Sequence, residues 1–131
     1  MLISLYTLPN CAASDETRAA LTARGIAFTE RSAADQSPLA APVVATIVNH
    51  GIVAWRGHRP DLIDLLEDLV AYGPVPADGV FSPEHAEHAV LTRHQALTEV
   101  LGHQLNPQDF LDECGDQALY RGAVLLDWLG Y

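Results

Sequence analysis

The chain opens on an unbroken apolar run, residues 2–7 (LISLYT), rich in β-forming side chains. An apolar stretch that does not alternate fits a strand covered on both faces. Pro9-Asn10 ends it. Residues 12–24 (AASDETRAALTAR) then place Ala13, Thr17, Ala20, Leu21 and the stem of Arg24 at helical spacing, with Asp15 and Glu16 in the first turn and Gly25 as the stop. That pattern predicts a helix. A second strand is predicted over 26–30 (IAFTE), and a strand–helix–strand unit favours a parallel pair joined by a right-handed crossover. Residues 31–41 are polar and hold one helical turn at most. Strands are predicted at 42–48 (PVVATIV) and 52–55 (IVAW), around the hairpin signal Asn49-His50-Gly51. Pro60 suits a helix start, and residues 61–72 (DLIDLLEDLVAY) set Leu62, Ile63, Leu65, Leu66, Leu69 and Val70 on one apolar face.

Past residue 72 the pattern changes. GPVPADG (73–79) reads as a linker. Ser82 before Pro83 predicts the start of one long helix running to about Leu101. Asn106-Pro107 starts a short helix ending near Cys114-Gly115, and residues 117–130 predict a last apolar helix closed by Gly130. Val90, Leu91, Leu97, Val100 and Leu101, and then Ala123, Val124, Leu125, Trp128 and Leu129, are apolar positions in need of a partner. The expected division is a first domain over 1–72, a linker over 73–81 and a helical extension over 82–131.

Composition narrows the function classes. The 131 residues carry a net charge of -10, and all seven basic residues are arginine, a bias typical of GC-rich bacterial genomes. Residues 1–72 hold five Arg against eight Asp and Glu, a net of -3; residues 73–131 hold two against nine, a net of -7. Such a surface repels phosphate backbones, which argues against nucleic acid as a partner. No apolar stretch approaches the roughly 20 residues that span a bilayer, and MLISLYT lacks the basic start of a secretion signal. The expectation is a cytoplasmic chain with no membrane partner. Two cysteines, Cys11 and Cys114, do not make a disulfide scaffold.

Cys11 is the candidate nucleophile. The first turn of a helix leaves N–H groups unpaired and is electropositive, which stabilises a thiolate. Three positions on, Ser14 occupies the place of a resolving thiol. A serine hydroxyl hydrogen-bonds a thiolate but does not displace a disulfide. Cys114 lies in DECGD, where acidic neighbours raise a thiol pKa; it is structural, or a resolving thiol if its Cα lies within about 7 Å of that of Cys11. His85, His88, His94 and His103 fall on the predicted long helix. The pair His85 and His88 could hold zinc with Glu84, but no third ligand has suitable spacing, so these residues are read as solvated surface and no metal is expected.

YTLPNCAAS, GIAF, APVV and WRGHRPD follow in the order found in the glutaredoxin-like NrdH-redoxins, and residues 2 to about 70 resemble that family. The resemblance implies a thioredoxin fold, with Cys11 as the attacking cysteine and Pro42 as a cis-proline beside it that shapes a docking edge for an incoming peptide. It implies substrate-binding positions at Thr7, Pro9, Asn10, Ala41, Pro42, Val43, Arg56 and Arg59. Three departures stand out. Ser14 replaces the resolving cysteine. Leu8 stands where relatives often carry a lysine that helps depress the thiol pKa, and Asp15 and Glu16 are close by. Only about a dozen residues separate GIAF from APVV, where the family fits a full helix, so that helix is expected to be reduced or missing and one sheet face open. The extension would then pack on that face or form a homodimer.

The expected fold is therefore α/β, a thioredoxin-like mixed four-stranded sheet with a shortened or missing second helix and an all-helical extension. The expected activity is one-cysteine thiol–disulfide exchange by Cys11, assisted by Ser14, on a protein disulfide or with a low-molecular-weight thiol, without a cofactor. CAAS lacks the glycine typical of glutaredoxins that share an iron–sulfur cluster. The PNC opening is also similar to the arsenate-reductase-like branch, which inserts its helices mid-chain. The alternative function is a non-catalytic binding or assembly module on a degenerate redoxin fold, with the acidic helices as its interface.

Overall fold

The computed structural model describes residues 1–33, 41–76 and 88–130. The chain forms two compact units, residues 1–67 and 68–131.

The first unit runs β1 (Ile3–Thr7), α1 (Ala12–Ala23), β2 (Thr29–Ser32), β3 (Val43–Val48), β4 (Gly51–Arg56) and α2 (Pro60–Tyr72), whose last turns belong to the second unit. The strands make one sheet in the order β2-β1-β3-β4. β1 and β2 are parallel; β1 with β3, and β3 with β4, are antiparallel. This is the mixed sheet of a glutaredoxin-type thioredoxin fold. Alternation decides which face is covered. Leu5, Val44 and Trp55 pair across adjacent strands and are buried, whereas Ile47 and Ile52 on the opposite face are 66% and 81% exposed. Leu21 of α1 and Leu62, Ile63 and Leu66 of α2 are buried, and Arg24, the residue that follows α1, ion-pairs with Asp64 and Glu67 of α2. Among the described residues, Ile47 and Ile52 are thus the exposed apolar side chains of the sheet face opposite the helices. The expected loss of a helix between β2 and β3 falls on residues 34–40 and lies outside the described residues.

The strand expected over 26–30 forms instead at 29–32. The reason lies in how α1 ends. Gly25 adopts φ 70°, its N–H bonds Thr22 O, and the Ile26 N–H bonds Leu21 O at 3.0 Å. This paired closure uses Ile26 to finish the helix, and the sheet starts only after it.

The second unit adds β5 (Val90–Thr92), α3 (Arg93–Gly102), α4 (Pro107–Cys114), β6 (Leu119–Arg121) and α5 (Gly122–Leu129). The long helix expected from Pro83 to about Leu101 is replaced over 90–92 by β5, which pairs antiparallel with β6. The last helix likewise starts at Gly122, not at residue 117. The extension is therefore helical with a small two-stranded sheet, not all helix. Thr92 ends the strand because it caps α3. Its hydroxyl accepts the Gln95 N–H, while the Gln95 side chain accepts the Thr92 N–H. Ser82 lies outside the described residues. Val75, Leu91, Ala96, Val100, Phe110, Tyr120 and Leu125 form a core here, with Trp128 and Leu129 against it. Most apolar positions of the extension are thus satisfied within it; Leu101 and Val124 remain exposed.

Candidate functional site

Cys11 is the residue at which the chain enters α1. Its backbone is extended (φ -111°, ψ 111°), so the helix begins one residue later and its first amides lie beside the sulfur. The thiol is half-buried and free. Its pKa is lowered, chiefly by the Ser14 hydroxyl and next by the Ser14 amide; partial burial and the Asp15 carboxylate act in the opposite sense. Asp15 does not prevail because its influence is the weakest of these, and the Ser14 hydroxyl and the Ser14 and Ala13 amides outweigh it. No lysine at position 8 is needed for this direction of shift. Leu8 contributes through its backbone, donating its N–H to Ser14 Oγ at 3.3 Å. Ser14 is fully buried, so one hydroxyl ties the β1–α1 loop to the helix and faces the thiol.

The other wall of the site is the start of β3. The Ala41–Pro42 peptide bond is cis, as the resemblance implied, and Ala41 O lies 3.8 Å from Cys11 Sγ. Gly57, with φ 83°, donates its N–H to Pro42 O at 2.7 Å and anchors this segment to the end of β4. A side chain at Gly57 would strain that turn. Val43 pairs with Arg56 across β3 and β4.

Other sequence-predicted positions divide by what they touch. Thr7 is buried and donates to Glu30 Oε2 at 3.1 Å, so its hydroxyl is occupied within the fold. Pro9 and Asn10 are exposed in the loop before Cys11, with Asn10 at φ 56°. Arg59 pairs with Asp61 in the first turn of α2 at 2.7 Å. Arg56 is exposed. Cys114 belongs to the second unit, where it packs against that unit's core and where burial first, then Glu113, raises its pKa. Of the histidine set, His85 lies outside the described residues with Glu84, and the described residues contain no group of three side chains fit to hold a metal ion.

Sequence reasoning missed two supports. His58 Nδ1 sits 2.9 Å from Thr17 Oγ1, joining the turn before α2 to α1 one helical step below Ser14. Arg18 donates to both carboxylate oxygens of Glu30, at 2.6 and 3.0 Å, and so fastens α1 to the sheet edge. The signal for the first was a threonine three residues after Ser14 on the apolar side of α1, since buried hydroxyls need partners.

No protein-family model matches the chain, and no curated protein matches it. Among solved structures it is similar to NrdH-redoxin from Escherichia coli, a glutaredoxin-like protein described as having a thioredoxin-like activity profile. The identity is 27% and the TM-score 0.42, over 58% of this chain and 100% of that one.

Proposed function

We propose that this chain is a one-cysteine thiol–disulfide exchange protein in which Cys11 is the nucleophile. The observation that carries the reading is a half-exposed thiol at the start of α1 whose pKa is lowered, first of all by the buried Ser14 hydroxyl. The Cys11 thiolate attacks one sulfur of a disulfide, the S–S bond breaks, and a mixed disulfide with Cys11 forms. The departing thiolate takes a proton from water. Ser14 stabilises the thiolate before attack but forms no disulfide, so the thiolate of an external low-molecular-weight thiol attacks the partner's sulfur in the mixed disulfide, Cys11 leaves as thiolate, and a disulfide between the partner and the external thiol forms. The partner disulfide is that of a protein. The Ala41–Pro42 segment, beside the sulfur, is the edge against which that partner lies, with Val43 and Arg56 flanking it.

The test is the pH dependence of Cys11 alkylation. The expected midpoint lies below the roughly 8.5 of a free cysteine. A midpoint at or above that value removes the reading. A second reading, a binding or assembly module using the acidic helices, draws on one observation: a hollow of ≈ 440 Å³ in the second unit lined by Leu105, Asp109, Asp112, Glu113 and Trp128. An unreactive Cys11 would leave that reading in place.

A further inference from the structure

The chain has seven arginines among 17 acidic residues. Five of them, Arg18, Arg24, Arg59, Arg93 and Arg121, are ion-paired. The two that make no ion pair with any described residue, Arg31 and Arg56, are both exposed and stand on the two edge strands. Strand register brings them into one row: Arg31 pairs with Tyr6, Tyr6 with Val43, and Val43 with Arg56. Directly paired residues project from the same face, so the row crosses the face opposite α1 and α2. Three inter-strand steps put the two arginines roughly 14 Å apart. Val43 follows Pro42, so the row passes one residue from the segment that walls the thiol. Further from the thiol the same face is apolar, with a shallow hollow of ≈ 520 Å³ lined in part by Ala45, Ile47 and Ile52.

We propose that this face docks an acidic polypeptide segment of the disulfide-bearing partner, its carboxylates on Arg31 and Arg56 and its apolar side chains over Ala45, Ile47 and Ile52. Charge complementarity selects this occupant. In a chain that otherwise pairs its cations with its own abundant carboxylates, two solvent-facing guanidinium groups beside an apolar surface match a surface of opposite sign. A second copy fits poorly. Stacked face to face, it would set the arginine row against its own arginines or against the apolar rows, covering cations without counter-charges. The proposal rests on the exchange reading only for the partner's disulfide; docking itself needs no thiol.

Binding of cysteine-free, fluorescein-labelled peptides to the full chain, followed by anisotropy, tests docking apart from chemistry. One peptide carries Glu at alternate positions of its first half and Leu or Val at alternate positions of its second half, in the same phase and with Ser between, so that both sets project from one side, and its counterpart carries Lys in place of Glu. The acidic peptide is expected to bind, more weakly as salt rises, and the Lys peptide not to bind. Arg31→Glu with Arg56→Glu should weaken the acidic peptide about tenfold or more. Ile52→Thr, which keeps a β-branched residue in the strand, should weaken it while preserving the salt dependence. Equal binding of both peptides, no binding of the acidic one, or indifference to the arginine reversals overturns the proposal. So does a wild-type dimer that Ile52→Thr dissociates, because a second copy would then be the occupant. The alkylation midpoint of Cys11 is measured separately, so loss of the exchange reading and loss of the docking face give different results.

Discussion

Replacing Ser14 by alanine removes one oxygen from a fully buried position and breaks two relationships at once. The Leu8 N–H loses the acceptor it holds at 3.3 Å, and the Cys11 sulfur loses the largest influence lowering its pKa. A neutral hydrogen bond contributes about 0.5–1.5 kcal/mol net, and one as long as 3.3 Å belongs near the lower end, so the stability cost expected is about 0.5 kcal/mol. The effect on the thiol has a definite sign. Partial burial and Asp15, both of which raise the pKa, remain after the substitution. The Cys11 midpoint therefore moves up, and alkylation at neutral pH slows. The measurement is the rate of iodoacetamide addition against pH, read by mass spectrometry in a Cys114→Ser background so that one thiol reports. Linkage supplies a second readout. A thiol whose folded pKa is lowered contributes stability that is full above its unfolded value and is lost as pH falls through the folded one. The stability gap between the parent and Ser14→Ala, taken from urea unfolding, should thus be wider at about pH 9–10 than near pH 6. Superimposable alkylation profiles, or a gap that narrows with rising pH, would refute the role given to Ser14.

Other substitutions probe the frame around the thiol and the second unit. Thr17→Val leaves His58 Nδ1 without its 2.9 Å partner and should cost about 1 kcal/mol in urea unfolding, most of it in the first unit by hydrogen exchange. Glu30 has its pKa lowered mainly by Arg18, with a further contribution from Thr7. Its stabilisation is therefore present above the ordinary carboxylate pKa and lost as pH falls through the lower folded value, so Glu30→Gln should flatten the acid limb of the stability profile below about pH 4. Phe110→Ala empties a fully buried site between Tyr120 and Trp128, whose rings lie 5.0 and 5.3 Å away, and should cost about 3–5 kcal/mol. A loss under about 1 kcal/mol in denaturant unfolding would mean that the core of the second unit is not built around that ring.

Much of the architecture was legible because it is written locally. The apolar run 2–7, the helical spacing of 12–24, the hairpin signal at 49–51 and the amphipathic 61–72 each carry a period set by backbone geometry, and each appears within a residue or two of where it was expected. The thiol's place followed in the same way, since a helix start is marked by its own neighbours. The errors are equally physical. VLT inside a helix-like stretch becomes a strand only because Leu119–Arg121, about 30 residues on, pairs with it, and no local period signals a distant partner. Ser14 was read for chemistry, while its burial comes from the packing of α1 against the sheet. The row from Arg31 to Arg56 exists only through the register of four strands, two of them far apart in sequence. Dihedral preferences and periodicity act over a few residues, so the chain alone determined most elements of the first unit and the position of Cys11 at the start of a helix. Strand pairing and burial act between segments, so the tertiary structure alone decided that the Ser14 hydroxyl is buried and which cations are left facing solvent.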